Sequence, residues 1–301
     1  MNSLEEKYVG ALMGLACGDA VGTTVEFSPR GSFKPVTGMT GGGLFHLNPG
    51  QWTDDTSMAL CLAESLVEKS AFDPRDQMAR YLNWWQWGYL SSTGSCFDIG
   101  NTVRAALIKF QNTGEPYAGS PDPASAGNGS LMRLAPVVLF AYKNPETLAL
   151  LAANSSRTTH GAAEAIECCQ LFSQLIHRAL SGIPKNELLT GTAHALLQPK
   201  VRQLAQGAFL QKPYSALVGS GYCVQSLEAA LWCFFNTESF EAAVLAAVNL
   251  GDDADTTGAI TGQIAGAFYG ASAIPPEWAE LLAMRQEIEV LARRLYAKGG
   301  T

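Results

Sequence analysis

Two short acidic clusters carry the densest chemistry in the chain: Thr53-Asp54-Asp55-Thr56 near its start and Asp252-Asp253-Ala254-Asp255-Thr256 near its end. Each is flanked by glycine or threonine and stands where a helical run begins. Carboxylates packed this closely repel and raise one another's pKa unless a cation lies between them. Oxygen ligands of this kind, Asp with Thr hydroxyl, suit Mg²⁺ or Mn²⁺ rather than zinc. If the fold unites the clusters, they form a two-metal site. The competing reading makes both clusters N-caps, because Thr and Asp at a first turn satisfy orphan amides. A turn holding Asp252, Asp253 and Asp255 carries more charge than a cap needs.

Further candidates surround them. Glu26 stands between Val25 and Phe27, a half-buried setting that suits a salt-bridge partner or, beside metal ions, a ligand or base. Asp98 is the one acid in the small, polar run from Gly94 to Thr102, and reads as an N-cap or as a carboxylate for acid–base work. Gly127-Asn128-Gly129-Ser130 is an ordinary turn or a backbone cradle for phosphate, although it matches neither GxxxxGK[ST] nor a strand-borne GxGxxG. Thr159-His160 heads a helical run as a cap or as a substrate contact. Gly219-Ser220-Gly221-Tyr222 offers a turn with an aromatic suited to packing or to stacking on a base. Trp84, Trp85, Trp87, Tyr81 and Tyr89 read as core packing at a helix end. There is no GxSxG, and four histidines give little scope for a Ser/His/Asp triad.

Composition narrows the function classes. The chain has 301 residues, 47% hydrophobic and 16% charged, with a net charge of −7. A large buried core is implied, and the chain reads as one domain spanning residues 1–301. No Lys/Arg run supplies the footprint that a nucleic-acid backbone requires. The seven cysteines form no CxxC and read as reduced core thiols of a cytoplasmic protein. His46, His160, His177 and His194 lack zinc spacing. The first residues carry no secretory h-region. Residues 257–276 are free of charge and hold Gly258, Gly262, Gly266 and Gly270, which resembles a membrane helix. The aspartates at their start and the internal Thr, Gln, Tyr and Ser point instead to a buried core helix.

Helical periodicity or helix-former composition covers residues 4–20, 55–70, 75–89, 99–111, 145–153, 162–180, 185–198, 225–235, 240–250 and 255–269, with a last helix at 276–297 and Gly299 past its end. No convincing strand alternation occurs. Gly10, Gly14, Gly18 and Gly22 repeat every four residues, as do Gly258 to Gly270. Glycine costs a helix about 1 kcal/mol against alanine, and close helix–helix approach is the compensation. The first and penultimate helices are therefore expected to be central. Two irregular stretches, 28–52 and 112–129, are long enough to be functional or mobile, and the first is a candidate lid.

Taken together, these residues resemble the ADP-ribosylglycohydrolase family, which includes the ADP-ribosylarginine hydrolases. The resemblance spans almost the whole chain. Thr53, Asp54 and Asp55 match one metal motif; Asp253, Asp255 and Thr256 match the other. Glu26, Asp98, Gly127 to Ser130 and Thr159-His160 match further motifs in order. Asp252 departs from the pattern, standing where a glycine is expected. The resemblance implies an all-α orthogonal helical bundle with a dinuclear Mg²⁺ or Mn²⁺ cleft. It implies a substrate bearing ADP-ribose, on a protein or a small conjugate, cut at the distal anomeric carbon. Asp98, Glu26 and Asp55 would be catalytic. Gly127, Asn128, Gly129, Ser130, His160 and Tyr222 would bind substrate. Arginine is the first linkage expected and serine or another O-linkage the second; a two-metal nucleotide phosphohydrolase and a non-catalytic descendant are the other classes. The protein is expected to act as a monomer, away from membranes and nucleic acid.

Overall fold

The glycine repeats decide the centre of the fold. In the computed structural model, which describes residues 3–299, α1 (Ser3–Gly22) lies antiparallel against α11 (Ala254–Tyr269). Gly10 faces Gly266, Gly14 faces Gly262, and Gly18 faces Gly258. A β-carbon on any of them would fall within 3.0 Å of the facing carbonyl oxygen. Only glycine lets the two backbones touch, and dispersion along the seam offsets the glycine cost. The fourth glycines depart from the repeat: Gly22 meets Ala254, and Gly270 ends α11 with a positive φ of 86°. Residues 257–276 thus begin with a buried core helix packed on α1, as expected. No helix among the described residues is long and apolar enough to cross a membrane.

Around this pair stand α2 (Asp54–Lys69), α3 (Pro74–Trp87), α4 (Asn101–Thr113), α5 (Ala135–Ala141), α6 (Pro145–Thr159), α7 (Ala163–Leu180), α8 (Pro199–Ala205), α9 (Cys223–Phe235), α10 (Phe240–Val248), α12 (Pro276–Leu281) and α13 (Arg285–Gly299). The fold is all-α; pairing among the described residues is limited to isolated bridges such as Gly127 with Tyr222. The local signals are legible. Asp73 caps α3 by accepting from the amides of Arg75 and Asp76 at 3.0 Å, and Gly88 closes it at a φ of 68°.

Two expected helices are corrected. The run 185–198 is only a short 3₁₀ turn at Lys185–Glu187 followed by turns, because Gly191 takes a φ of 79° and Pro199 begins a new helix. Glu167 holds that new start by accepting from the amides of Leu197 and Gln198. The last helix is split between Leu281 and Arg285. There Ala283 donates its amide to Gly50 O at 2.9 Å and accepts from Trp52 Nε1 at 3.1 Å, so tertiary bonds to the 28–52 stretch outweigh helix propensity. Gly299 lies within α13 rather than past it.

The 28–52 stretch is pinned rather than free as a lid. Arg30 donates to Tyr214 O and Leu217 O, and the amide groups of Asn249 and Val36 pair at 2.8 and 3.0 Å. All seven cysteines are free thiols, six of them buried.

Candidate active site

The first acidic cluster is organised by a residue that its own motif does not contain. Asp19, buried near the end of α1, accepts four hydrogen bonds from the start of α2. Its Oδ1 takes Thr53 N and Oγ1, both at 2.9 Å; its Oδ2 takes Thr56 N at 3.0 Å and Oγ1 at 2.6 Å. Thr53, at the N-cap position, makes no cap bond of its own, and neither does Asp253 at the start of α11. Neither cluster is therefore a cap. Asp54 and Asp55 are left free of that duty.

The glycine seam then brings the two clusters together. Thr53 Oγ1 lies 3.1 Å from Asp255 Oδ2, and Thr256 Oγ1 lies 3.3 Å from Asp55 Oδ2. The segment after α1 adds Glu26 and the segment before α4 adds Asp98. One carboxylate oxygen each from Glu26, Asp98 and Asp255 lies within 4.8 Å of the others. Three buried oxygens face no hydrogen-bond donor: Glu26 Oε2, Asp55 Oδ1 and Asp255 Oδ1. Among the described residues, no Lys or Arg forms an ion pair with this group.

Burial and mutual repulsion raise these acids. The carboxyls of Asp54, Asp55 and Asp255 are held well above the usual range by burial first and by neighbouring carboxylates second. Burial pushes Glu26 up to about 10, with Asp98, Asp253 and Asp54 adding to it. Asp98 is pushed to about 7 by burial, a rise that a hydrogen bond from Glu26 opposes. Asp19 rises only to about 6, because its four hydrogen bonds oppose the burial. An all-oxygen donor set with orphaned buried oxygens and no neutralising cation fits Mg²⁺ or Mn²⁺ and offers nothing soft for zinc.

A cleft of about 520 Å³ opens over the acids. Its floor includes Glu26, Asp54, Asp98, Asp253, Asp255 and Thr256; Gly127, Asn128, Gly129 and His160 form a wall. Asn128 Nδ2 donates to Asp253 Oδ2 at 2.7 Å, tying the glycine loop to the second cluster. Gln263 of α11 holds the residues behind the loop, donating to Met132 O at 2.8 Å and accepting from Ala135 N at 2.7 Å. Gly127 and Gly129 pack on the His160 ring, where a β-carbon would lie 3.3 and 2.8 Å from ring atoms.

Two expected substrate contacts sit elsewhere. Ser130 is buried, its hydroxyl bonded to that of Ser156 at 2.9 Å. Tyr222 lies outside the cleft lining, which there consists of Ser220 and Gly221. Its hydroxyl is bonded to Glu164 at 2.5 Å and Lys200 at 2.9 Å, and it lines a separate pocket of about 380 Å³. Asp252 is exposed on the cleft rim. Phe27, Asp98 and Asp252 all line the cleft with left-handed φ of 60°, 58° and 54°, a conformation costly for side chains with a β-carbon.

Sequence reasoning missed Asp19, Gln263 and the buried Arg133, which donates to Gly129 O of the glycine loop at 2.7 Å, as organisers of the site. The signal was available in each: a charged or amide side chain set in an otherwise apolar, glycine- or alanine-rich run.

Comparison with known proteins bears on this geometry. A family model described as ADP-ribosylglycohydrolase matches residues 1–301. ADP-ribosylarginine hydrolase Tri1 of Pseudomonas putida (strain GB-1) is 45% identical over 291 residues, covering 97% of this chain and 78% of its own. ADP-ribosyl-[dinitrogen reductase] glycohydrolase of Rhodospirillum rubrum is 33% identical, covering 96% and 94%. A solved structure titled "ADP-ribosylglycohydrolase-related protein complex" superposes with a TM-score of 0.89 at 47% identity, over 99% of both chains.

Proposed function

This chain belongs to the ADP-ribosylglycohydrolase family, and on that premise we propose that it is a metal-dependent hydrolase that removes ADP-ribose from ADP-ribosylated arginine side chains. The observation that carries the metal part is the set of buried orphan oxygens of Glu26, Asp55 and Asp255 in a cleft without a neutralising cation. The linkage rests on likeness to relatives named for arginine. Thr53, Asp54, Asp55, Asp253, Asp255 and Thr256 hold two Mg²⁺ or Mn²⁺ ions, with Glu26 as a further ligand. When bound, the ions neutralise the carboxylates and supply Lewis acidity towards a water and the ribose hydroxyls.

The protein's own groups divide the remaining work. Cleavage breaks the bond from the anomeric carbon to the arginine nitrogen through an oxocarbenium-like state, and water adds at that carbon. A guanidinium departs as a neutral guanidine, so its departure needs no acid. The proton to be moved is that of the attacking water. Asp98, which lines the cleft from a left-handed backbone position, is the group to accept it. Asn128 orients Asp253. In the loop Gly127–Ser130 the amides of Gly127 and Asn128 already donate to Ser125 O and Gly221 O, so those of Gly129 and Ser130 are assigned to the diphosphate, which suits a cleft whose lining contains no Lys or Arg. His160 contacts the bound ADP-ribose from the same wall, and Tyr222, from its separate pocket, is assigned to the far, adenosine end.

The test presents the protein with matched arginine-linked and serine-linked ADP-ribosyl peptides and identifies the product. Release of intact ADP-ribose from the arginine peptide is expected. Release from serine alone moves the linkage, because an alkoxide leaving group, unlike a guanidine, needs a proton donor. AMP as product moves the protein to the phosphohydrolases.

A further inference from the structure

Arg133 is fully buried; its two terminal nitrogens bond neutral oxygens and Met58 Sδ, none of them a carboxylate, and its Nε has no hydrogen-bond partner. A buried guanidinium is costly unless its donors are bonded in good geometry. One arm donates to Gly129 O at 2.7 Å and the other to Thr159 Oγ1 at 2.7 Å, while the plane lies 4.9 Å from the centre of the Tyr81 ring. Arginine has no acceptor, so the Thr159 oxygen accepts in that bond. The Thr159 hydroxyl proton must then point elsewhere, and His160 Nδ1 stands 2.8 Å away. Were Nδ1 itself protonated, it would aim a donor at an oxygen already bonded to a cation, and the Thr159 proton would be buried with nothing to bond. Nδ1 is therefore the acceptor, and in a neutral ring the proton sits on Nε2. Burial and the Arg133 charge both keep the ring neutral, pulling its pKa down to about 3. The Nε2 edge lies at the cleft wall, under the backbone of Gly127 and Gly129.

We infer that Arg133, acting through Thr159, is a positioning residue that locks His160 as the Nε2–H tautomer, so that the glycine-loop wall presents one neutral donor to an oxygen acceptor of the ligand. The same guanidinium holds Gly129 O, so loop and donor are set by one side chain. The ligand half of this inference rests on the ADP-ribose reading, in which that acceptor is an oxygen of ADP-ribose.

The tautomer is read directly by ¹⁵N NMR of histidine-labelled protein without ligand; with four histidines in the chain, His160→Gln assigns the signal. The expected result is Nε2 protonated and Nδ1 unprotonated at neutral pH. Thr159→Val should mix the tautomers and weaken ADP-ribose binding in the Mg²⁺-loaded protein roughly tenfold, about the worth of one well-placed hydrogen bond. Thr159→Ser should restore both. Arg133→Lys, which keeps the charge but not the fork, should mix the tautomers as Thr159→Val does. A wild-type proton on Nδ1 overturns the inference. So does a Thr159→Val protein with unchanged tautomer and unchanged ADP-ribose affinity. Should Thr159→Val fail to fold, the wild-type tautomer together with Arg133→Lys decides. A wild type that holds the assigned tautomer but binds no ADP-ribose upholds the positioning role and removes the ADP-ribose reading instead.

Discussion

Thr53 Oγ1 lies 3.1 Å from Asp255 Oδ2, a contact between opposite ends of the chain. The same hydroxyl is also 2.9 Å from Asp19 Oδ1 and 3.4 Å from Asp55 Oδ2. A hydroxyl has one proton and serves one acceptor well at a time. Asp19 Oδ1 also accepts from Thr53 N and Asp55 Oδ2 from Thr256 Oγ1, but Asp255 Oδ2 has only this shared hydroxyl and the Oδ1 atoms of Asp55 and Asp255 have no donor at all. A divalent cation relieves that deficit, and the first predictions concern it.

Asp55→Ala removes an oxygen donor whose Oδ1 has no protein partner. Mn²⁺ affinity, measured by calorimetry, should fall by at least tenfold and hydrolysis should be lost. Full activity with unchanged Mn²⁺ binding would remove Asp55 from the site.

Asp98→Asn keeps the shape of the side chain and abolishes its proton chemistry. Turnover should fall roughly 10²- to 10⁴-fold, the range of general acid–base contributions. ADP-ribose affinity should stay within a few-fold of wild type. Unchanged turnover would exclude proton transfer by Asp98.

Stability should depend on pH in a direction set by the raised carboxyls. Asp19 and Asp98 titrate near 6 and 7 when folded without metal, against about 4 unfolded. The folded state then binds more protons than the unfolded one, so stability falls as pH rises from about 4 through 7. Thermal melts in EDTA should move downward between pH 5 and pH 8. The increment from Mg²⁺ or Mn²⁺ should grow over the same interval, because metal and protons compete for these oxygens. A melting temperature in EDTA that climbs steadily to pH 8 would contradict the assignment.

Gly18→Ala and Gly262→Ala each drive a β-carbon into the facing helix backbone. Backbone cannot rotate aside as a side chain can, so each should cost roughly 3 kcal/mol or more. Gly38→Ala, whose β-carbon would meet only Trp278 Nε1 at 3.7 Å, is the control and should be nearly neutral. Denaturant unfolding distinguishes them.

Asp19→Ala leaves the amides of Thr53 and Thr56 without their acceptor. A loss of roughly 2–3 kcal/mol is expected from a buried cap of this kind. Mn²⁺ affinity should fall with it although Asp19 is argued to position the site rather than to ligate metal. Stability and affinity both at wild-type values would show that α2 starts without it.

Much of this was legible in the residues. The four-residue glycine period names the seam because a helix repeats its face at that interval and only glycine tolerates backbone contact. The clusters Thr53–Thr56 and Asp252–Thr256 announce themselves by charge density. What local patterns could not reveal depends on contacts distant in the chain. The break before Arg285 exists because Gly50 and Trp52 bond to Ala283. The separate pocket of Tyr222 follows from its bonds to Glu164 and Lys200. The organising role of Asp19 appears only once α1 and α2 meet.

The most direct measurement follows ADP-ribose release by mass spectrometry from an arginine-ADP-ribosylated protein, using EDTA-treated enzyme titrated with Mn²⁺ or Mg²⁺. Intact ADP-ribose released only as the metal is restored, with unmodified arginine left on the protein, is the predicted result. Release at full rate in EDTA, or no release from arginine at any metal concentration, contradicts the account.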